Sequence, residues 1–309
     1  MTSWEVVRVE PRGAAAKLWI REPGGSSTRF ESDWLFKPVS TQENGVRQIS
    51  DWTECVGSVI ARTMGIPAAE SRLAMRAGVD GVIVRNVRAP GYDMVSGRLA
   101  MLHEIGVETR DSVRDKTASI GHSISNVLRT LGEYSAPPGW ATWADASAVD
   151  VMVGYLVLDA LIGNGDRHEQ NWSILRARSS IDDLRDAIAP SYDVEASLGF
   201  QLSDYQRSER LRSPRTMEQF AARGLARRFD GDRATSLVDL AVRSARSCTA
   251  AGARQLLGLV EQIATADFPA LVSGVDGVSE VARTFAVNVL EINGRRLRDA
   301  NWNAGGAGD

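Results

Sequence analysis

The sequence predicts an α+β protein of two lobes: a small N-terminal lobe rich in β-strands with one helix, and a larger, mostly helical C-terminal lobe. Three observations support this prediction. Short apolar runs bounded by Gly, Pro and Ser dominate the chain before residue 88. Helical spacing of apolar residues dominates from about Leu99 onward. A chain of 309 residues, 43% of them apolar, is also long enough to bury two cores.

The first predicted elements are a β-hairpin and a helix. Lys17–Arg21 (KLWIR) and Trp34–Pro38 (WLFKP) have strand composition, and the Gly- and Ser-rich segment Pro23–Thr28 between them is typical of a turn. Apolar residues then recur at helical spacing over Val46–Met64, and Gly65 ends that helix.

Two further strands complete the small lobe. Leu73–Arg76 and Gly81–Val87 are predicted as strands, which gives the element order β-β-α-β-β. The domain prediction then divides the chain into four parts. They are an N-terminal lobe at 1–88, a Gly- and Pro-rich linker at 89–98, a helical lobe at 99–304 and a disordered tail at 305–309.

The large lobe contains one strongly apolar helix and several amphipathic ones. Ser147–Ile162 is predicted as a buried helix that runs into an Asn-Gly turn. The short apolar runs Asn171–Leu175 and Ile188–Val194 are predicted as a small hairpin. Further helices are predicted at 216–228, at 235–265 with a break near Gly252, and at 277–297.

Composition excludes several classes of function. A net charge of −3 and a pI near 5.8 argue against nucleic acid as the main partner, and the Arg-rich segments 207–215 and 223–233 are interpreted as solvated helical faces. Cys55 and Cys248 are predicted to be free thiols in a reducing cytoplasm. No signal-peptide pattern or membrane-length apolar run occurs, so a cytoplasmic location without a membrane partner is predicted.

The chemistry is predicted to lie in Leu161–Leu175, LIGNGDRHEQNWSIL. Asp166 follows a turn, Asn171 comes five residues later, and Asp193 follows Asp166 by 27 residues. Phosphoryl transfer needs a carboxylate that orients the attacking hydroxyl and oxygen ligands that hold Mg²⁺. The spacing therefore predicts Asp166 as the catalytic aspartate and Asn171 and Asp193 as metal ligands. His168 is assigned to the same catalytic loop, where it is expected to orient the loop through hydrogen bonds.

A lysine in the small lobe completes the predicted nucleotide site. Lys37 lies in the second strand of the hairpin, where a lysine that reaches the α- and β-phosphates of ATP is required in kinase-like sites. Glu54 in the following helix is favoured as its acidic partner, with Glu43 as the alternative. The Gly/Ser loop before the lysine strand is predicted to cover the phosphates. Its residues are Gly24, Gly25, Ser26 and Ser27.

These segments together resemble a known family. The runs WLFKP, GVIVRNV followed by PGYDMVSG, LIGNGDRHEQNWSIL and IAPSYDVEASLGF are similar to the kinase core of HipA-type kinases over roughly residues 15–300. The resemblance implies a bilobal protein-kinase-like fold, ATP and Mg²⁺ as cofactors, and phosphorylation of serine or threonine.

The resemblance also implies residue roles. Asp166 matches the catalytic aspartate, Asn171 and Asp193 match the metal ligands, and Lys37 matches the lysine that contacts ATP. The strand at 84–87 matches the hinge that binds adenine, and the residues assigned to it are Arg85, Asn86 and Val87. Ser26 and Ser27 fall where relatives carry a loop that can itself be phosphorylated.

Two alternatives stay open at the level of sequence. The acceptor could be the hydroxyl of a small molecule instead of a protein, or the chain could bind nucleotide and partners without transferring phosphate. Toxin-type relatives carry an extra N-terminal domain that contacts an antitoxin, and only 16 residues precede the first predicted strand here. Binding to a DNA-bound antitoxin is therefore not expected.

Overall fold

A computed structural model describes residues 4–10, 17–25, 30–112, 115, 117–178 and 184–302. In these residues an antiparallel sheet with one helix precedes a largely helical part, so the α+β architecture predicted from sequence is confirmed. Ser26, Ser27 and the tail at 305–309 lie outside the described residues.

The N-terminal sheet contains five antiparallel strands. They are β1 (Glu5–Glu10), β2 (Lys17–Arg21), β3 (Asp33–Pro38), β4 (Ser71–Arg76) and β5 (Val79–Arg85). Their spatial order is β1-β2-β3-β5-β4. The predicted hairpin is β2–β3, in which Leu18 pairs with Phe36 and Arg21 with Asp33. Edge strand β1 was not predicted, because its residues are mostly exposed and lack an alternating apolar pattern.

The two faces of this sheet have different tasks. On one face Trp34 and Phe36 pack with Ile20 and Ile83 in a small apolar cluster. Side chains alternate along a strand, so Lys37 of β3 lies on the opposite face. Helix α1 (Ser50–Thr63), which follows β3 in the chain, packs near β4 and β5.

A second sheet joins the two parts of the chain. Its strands are β6 (Tyr92–Ser96), β9 (Ser173–Ala177) and β10 (Ala187–Ile188), in the order β10-β9-β6. Strand β6 lies within the segment that the sequence assigned to a linker, and it pairs with β9 over its whole length. A short ladder of β7 (Arg110–Asp111) and β8 (Ser119–Ile120) lies between them in sequence.

The C-terminal part is built around a buried helix. The helices are α2 (Gly97–Ile105), α3 (Ile124–Thr130), α4 (Ala148–Ile162), α5 (Asp204–Leu211), α6 (Pro214–Ala221), α7 (Leu237–Ser244), α8 (Ala250–Thr265), α9 (Phe268–Ser273) and α10 (Glu280–Arg298). Helix α4 begins at a capping box of Ser147 and Asp150 and ends at Gly163, whose φ is 69°. It packs against α7 and α10, which explains why nearly all its residues are apolar.

One helix prediction was wrong at its C-terminal end, and one predicted break is observed. The helix predicted at 216–228 ends at Ala221, because the backbone beyond it bonds elsewhere: Ala226 N donates to Thr235 O. The Arg-rich segment 223–233 is therefore not a helical face. The break predicted near Gly252 is observed just before α8, and Gly252 is needed because a Cβ there would overlap the carboxylate of Asp150.

The predicted free thiols are confirmed, since Cys55 is buried, Cys248 is half-buried and both are unbridged. Among the helices of the described ranges, none combines the length and apolar character needed to cross a membrane.

Candidate active site

Lys37 meets the acidic residues of the distant segment 193–195. Its Nζ lies 2.8 Å from Asp193 Oδ1, 2.9 Å from Glu195 Oε2 and 3.6 Å from Glu54 Oε2. Only 6% of the Lys37 side chain is exposed, so these contacts are poorly screened by water. Lys17, at the start of β2, adds a second cation 3.9 Å from Asp193 Oδ2.

The charges of this cluster perturb one another. Burial alone would lower the pKa of Lys37, but Asp193, Glu54 and Glu195 together hold it well above its usual value. Burial works against the Asp193 carboxylate, yet the charges of Lys37 and Lys17 outweigh it and lower the pKa of Asp193 to about 2. Burial raises the pKa of Glu54 to about 7, against the opposing charge of Lys37. One carboxylate is thus held ionised and another is close to its titration point at neutral pH.

Helix α1 carries Glu54 into this cluster by a close approach to the Asp193 segment. A Cβ on Gly57, one turn after Glu54, would lie only 2.7 Å from Val194 Cγ2, so a glycine lets the helix approach. The structure brings Glu54, and not the exposed Glu43, to the lysine. Asp193 itself has a φ of 59°, an unusual value for a residue other than glycine, which the surrounding contacts maintain.

The 164–171 loop, which follows α4, holds Asp166 and Asn171 close together. Asp166 N donates to Asn164 Oδ1 at 3.2 Å, and the side-chain amide of Asn171 donates to Asp166 O at 2.9 Å. Because the Asn171 nitrogen is used in this bond, its amide oxygen is the atom suited to a cation. His168 N donates to Asp166 O, and His168 Nδ1 accepts from Gln170 N at 3.1 Å. These bonds place His168 in the framework of the loop.

A buried ion pair links the 164–171 loop to helix α4. Arg167 binds Asp159 of α4 through Nε and, at 2.8 Å, through Nη2. The same guanidinium donates to Asn171 O at 3.1 Å and to Ser191 Oγ at 3.0 Å. Burial alone would lower the pKa of Arg167, but Asp159 raises it above its usual value. Tyr192 adds a second link, since its hydroxyl donates to Gln170 O at 3.1 Å. The loop and the Asp193 segment are therefore held as one unit.

The Asp166 carboxylate forms an ion pair that was not predicted from the sequence. Arg228 Nε donates to Asp166 Oδ1 at 2.6 Å, and Nη2 lies 2.5 Å from the same oxygen. The side chain of Asp166 remains 34% exposed, so a substrate can reach it. Arg228 comes from the chain between α6 and α7, 62 residues away, and no local pattern links the two positions.

Not all predicted site residues come together. Gly24 and Gly25 form the turn that follows the C-terminal end of β2. Lys17, at the other end of that strand, is the residue that approaches Asp193. With about 3.3 Å per strand residue, that turn lies more than about 13 Å from the cluster along the strand. We therefore assign them no phosphate contact. The connection 11–16, which joins β1 to the Lys17 end of β2, lies outside the described residues.

The predicted hinge lies at the end of β5. The amides of Arg85 and Asn86 already donate to Glu70 O at 2.8 Å and to Asp33 O at 3.0 Å. The guanidinium of Arg85 lies over the Trp34 ring, on the face of the sheet opposite Lys37. Val87 follows and packs against the apolar core. If this hinge binds adenine, it must therefore use backbone atoms other than those two amides.

The donor set fits a divalent cation. Carboxylate oxygens of Glu54, Asp193 and Glu195 lie within 4.8 Å of one another, and Glu54 Oε2 is buried without a hydrogen-bond partner among the described residues. Oxygen ligands of this kind suit Mg²⁺. Glu195 was missed at the level of sequence, although its position two residues after Asp193 in D-V-E is a usable signal.

Comparison with known proteins agrees with this geometry. The profile of the HipA-like C-terminal domain matches residues 9–249. The chain belongs to the HipA-like kinase family. Membership places it among kinase-type phosphotransferases, for which ATP and a divalent metal are the general requirement. Among curated proteins, no sequence matches this chain.

The solved structures that align with this HipA-like kinase include the following two. The proinflammatory kinase CtkA of Helicobacter pylori aligns with a TM-score of 0.66 and 16% identity, covering 95% of this chain and 97% of CtkA. HipA of Shewanella oneidensis MR-1, solved with HipB and operator DNA, aligns with a TM-score of 0.43 and 14% identity, covering 87% of this chain and 60% of that one. The likeness to CtkA supports a shared fold over 95% of this chain.

Proposed function

We propose that this HipA-like kinase transfers the γ-phosphate of Mg-ATP to a serine or threonine hydroxyl of a protein. The observation that carries the proposal is the contact between Lys37 and Asp193, 2.8 Å across 156 residues of sequence. It joins the lysine of the small sheet to the segment beside the 164–171 loop, and phosphoryl transfer requires a phosphate-binding lysine and a metal-binding aspartate in one site.

Each residue has a task in this proposal. When bound, Mg-ATP supplies the phosphoryl group and a cation that neutralises charge on the phosphate oxygens. Asn171 and Asp193 would hold the cation through their oxygens, and Lys37 would bind phosphate oxygens. Asp166 would orient the acceptor hydroxyl and accept its proton. Glu54 would hold Lys37, from which its carboxylate is 3.6 Å away.

Two features support a protein acceptor. The resemblance to HipA-type kinases implies serine or threonine as the acceptor, and the Asp166 carboxylate is one-third exposed, so a hydroxyl on a large substrate can reach it. The chain itself is a further candidate substrate, with Ser26 and Ser27 as the predicted positions.

The decisive experiment follows phosphate from radiolabelled ATP into protein and metabolite fractions. We expect label on serine or threonine of protein with the wild type, and a loss of about 10²–10⁴-fold with Asp166→Asn, because the acceptor hydroxyl is no longer oriented or deprotonated. Asp145→Asn is the matched control, since Asp145 is an exposed aspartate just before α4, whereas the 164–171 loop follows the other end of that helix. Equal labelling by wild type and Asp166→Asn would overturn the proposal.

The same experiment separates the alternatives. Label confined to the metabolite fraction would indicate a small-molecule kinase. Mg-ATP binding in calorimetry, together with no labelling of any acceptor, would indicate a protein that binds nucleotide without transferring phosphate. Asp193→Asn should abolish Mg-ATP binding. Phosphopeptide mapping of the labelled chain, with Ser26→Ala and Ser27→Ala for comparison, tests whether these serines carry phosphate.

A further inference from the structure

The segment between α6 and α7, residues 222–236 and here called the Arg228 loop, reaches the Asp166 carboxylate. Two contacts of the Arg228 guanidinium end on Oδ1 of Asp166, at 2.6 Å from Nε and 2.5 Å from Nη2. The Arg228 side chain is only 18% exposed, so this charge-assisted pair is partly shielded from solvent. A carboxylate held through Oδ1 presents Oδ2 in a fixed direction.

The Arg228 loop is itself anchored on two sides. Ala226 N donates to Thr235 O at 3.0 Å, which closes the loop on itself. Asp230 Oδ1 accepts from Gly121 N at 2.6 Å, which ties the loop to the chain just after β8. The backbone that carries Arg228 is therefore held against the rest of the C-terminal part.

His122 fixes the backbone at Arg228 itself. Its ring is fully buried and stacks on Phe229 with a centroid distance of 4.8 Å. Trp172 Nε1 donates to His122 Nε2 at 3.0 Å, and since an indole N–H can only donate, Nε2 must be the unprotonated acceptor. The proton is then on Nδ1, which donates to Arg228 O at 2.9 Å. Trp172 directly follows Asn171, so His122 joins the end of the 164–171 loop to Arg228.

We propose that Arg228, held in place by His122, is the positioning residue for Asp166. This role deepens the proposed function and rests on it, because it gives the orientation of Asp166 a consequence for transfer. The guanidinium fixes the direction in which the carboxylate meets the acceptor hydroxyl. Small displacements of a reacting group lower the rate steeply, whereas Lys37, which is proposed to bind the phosphates of ATP, lies on another element.

Steady-state kinetics with the full chain test this role. We expect Arg228→Ala to lower kcat by about 10–100-fold, with the KM for ATP changed less than about twofold. Arg228→Lys should be intermediate, and added guanidinium should restore part of the Arg228→Ala rate. Arg233→Ala removes the same charge from the same loop at a 63% exposed side chain, and it should match the wild type.

The link through His122 has its own test. His122→Phe keeps a planar aromatic ring at this position, although a larger one, and removes both hydrogen bonds, so kcat should fall in the same direction as in Arg228→Ala. If His122 acts through Arg228, the double variant should be no slower than Arg228→Ala alone. Multiplying effects would overturn the link. Thermal melts of every variant confirm that it is folded at the assay temperature.

Hydrogen exchange separates this inference from the proposed function. The amides of the 164–171 loop should exchange faster in Arg228→Ala than in the wild type or Arg233→Ala. If the wild type transfers no phosphate but this difference appears, the proposed function fails and the positioning of Asp166 stands. A kcat of Arg228→Ala within about twofold of wild type, or unchanged exchange in that loop, overturns the inference.

Discussion

Replacing Arg167 by methionine should strongly destabilise the protein. Methionine is close to arginine in length and fills much of the same space, so the main loss is the buried guanidinium. The side chains of Arg167 and Asp159 are each only 2% exposed. The substitution leaves the Asp159 carboxylate buried with its Asn164 bond but without a counter-charge. It also removes donors to Ser191 Oγ and Asn171 O.

The magnitude follows from this burial. Removing one partner of a buried ion pair costs about 3–5 kcal/mol, because the remaining charge stays desolvated. The total stability of a folded domain is about 5–15 kcal/mol, so the Arg167→Met variant should remain folded with a clearly lowered midpoint. Asp159→Leu combined with Arg167→Met removes both charges and should recover part of the loss.

Urea denaturation followed by tryptophan fluorescence measures these differences. The matched control is Arg178→Met, since Arg178 forms a 2.6 Å pair with Asp93 on the surface, and its stability should equal that of the wild type. A loss in Arg167→Met no larger than in Arg178→Met would refute the reasoning. A double variant that is less stable than Arg167→Met alone would also refute it, because an unpaired buried charge would then not be the cause.

Three further predictions concern the site and its supports. Lys37→Met should lower the free energy of unfolding by about 2–4 kcal/mol at pH 8. The loss should be smaller at pH 5, because Glu54, whose pKa is about 7, is protonated there and no longer needs the lysine charge. Equal losses at the two pH values in urea melts would contradict this. Burial lowers the pKa of His122 from 6.5 to about 4, so unfolding is favoured by proton uptake as the pH falls. Stability on the order of 3 kcal/mol, present above pH 6.5, should be lost towards pH 4 in the wild type but not in His122→Gln, as pH-dependent melts would detect. Gly57→Ala would put a Cβ 2.7 Å from the nearest side-chain carbon, so it should lower the free energy of unfolding by about 1–3 kcal/mol and weaken Mg-ATP binding. Gly258→Ala, which has open space around it, should cause neither loss.

Local elements with a strong pattern were predictable from sequence. Strand β2 was predicted with its observed bounds, and the helix predicted at Ser147–Ile162 is observed as Ala148–Ile162. Elements whose pattern is weak were not predicted; among them are β1, which pairs with β2, and β6, which pairs with β9. In such strands the neighbouring strand, and not the local sequence, determines the conformation.

The candidate site divides in the same way. Asp166 and Asn171 lie in one loop, so their proximity follows from five residues of spacing, and the family resemblance linked them to Lys37 and Asp193. The roles of these residues stay predictions. Glu195 was overlooked, although its carboxylate lies 2.9 Å from Lys37 Nζ, almost as close as that of Asp193 at 2.8 Å.

The sequence by itself determined the family, the α+β architecture and the short-range order of the 164–171 loop, because periodicity and spacing act over a few residues. Only the tertiary structure decided which charges meet: Lys37 with Glu195, Arg167 with Asp159 in the buried core, and Arg228 with Asp166. Those pairs depend on how distant backbone segments pack, and burial sets the strength of each pair. The tertiary structure also argues against the predicted phosphate contact of the Gly24-Gly25 turn, since strand register places that turn at the end of β2 opposite Lys17.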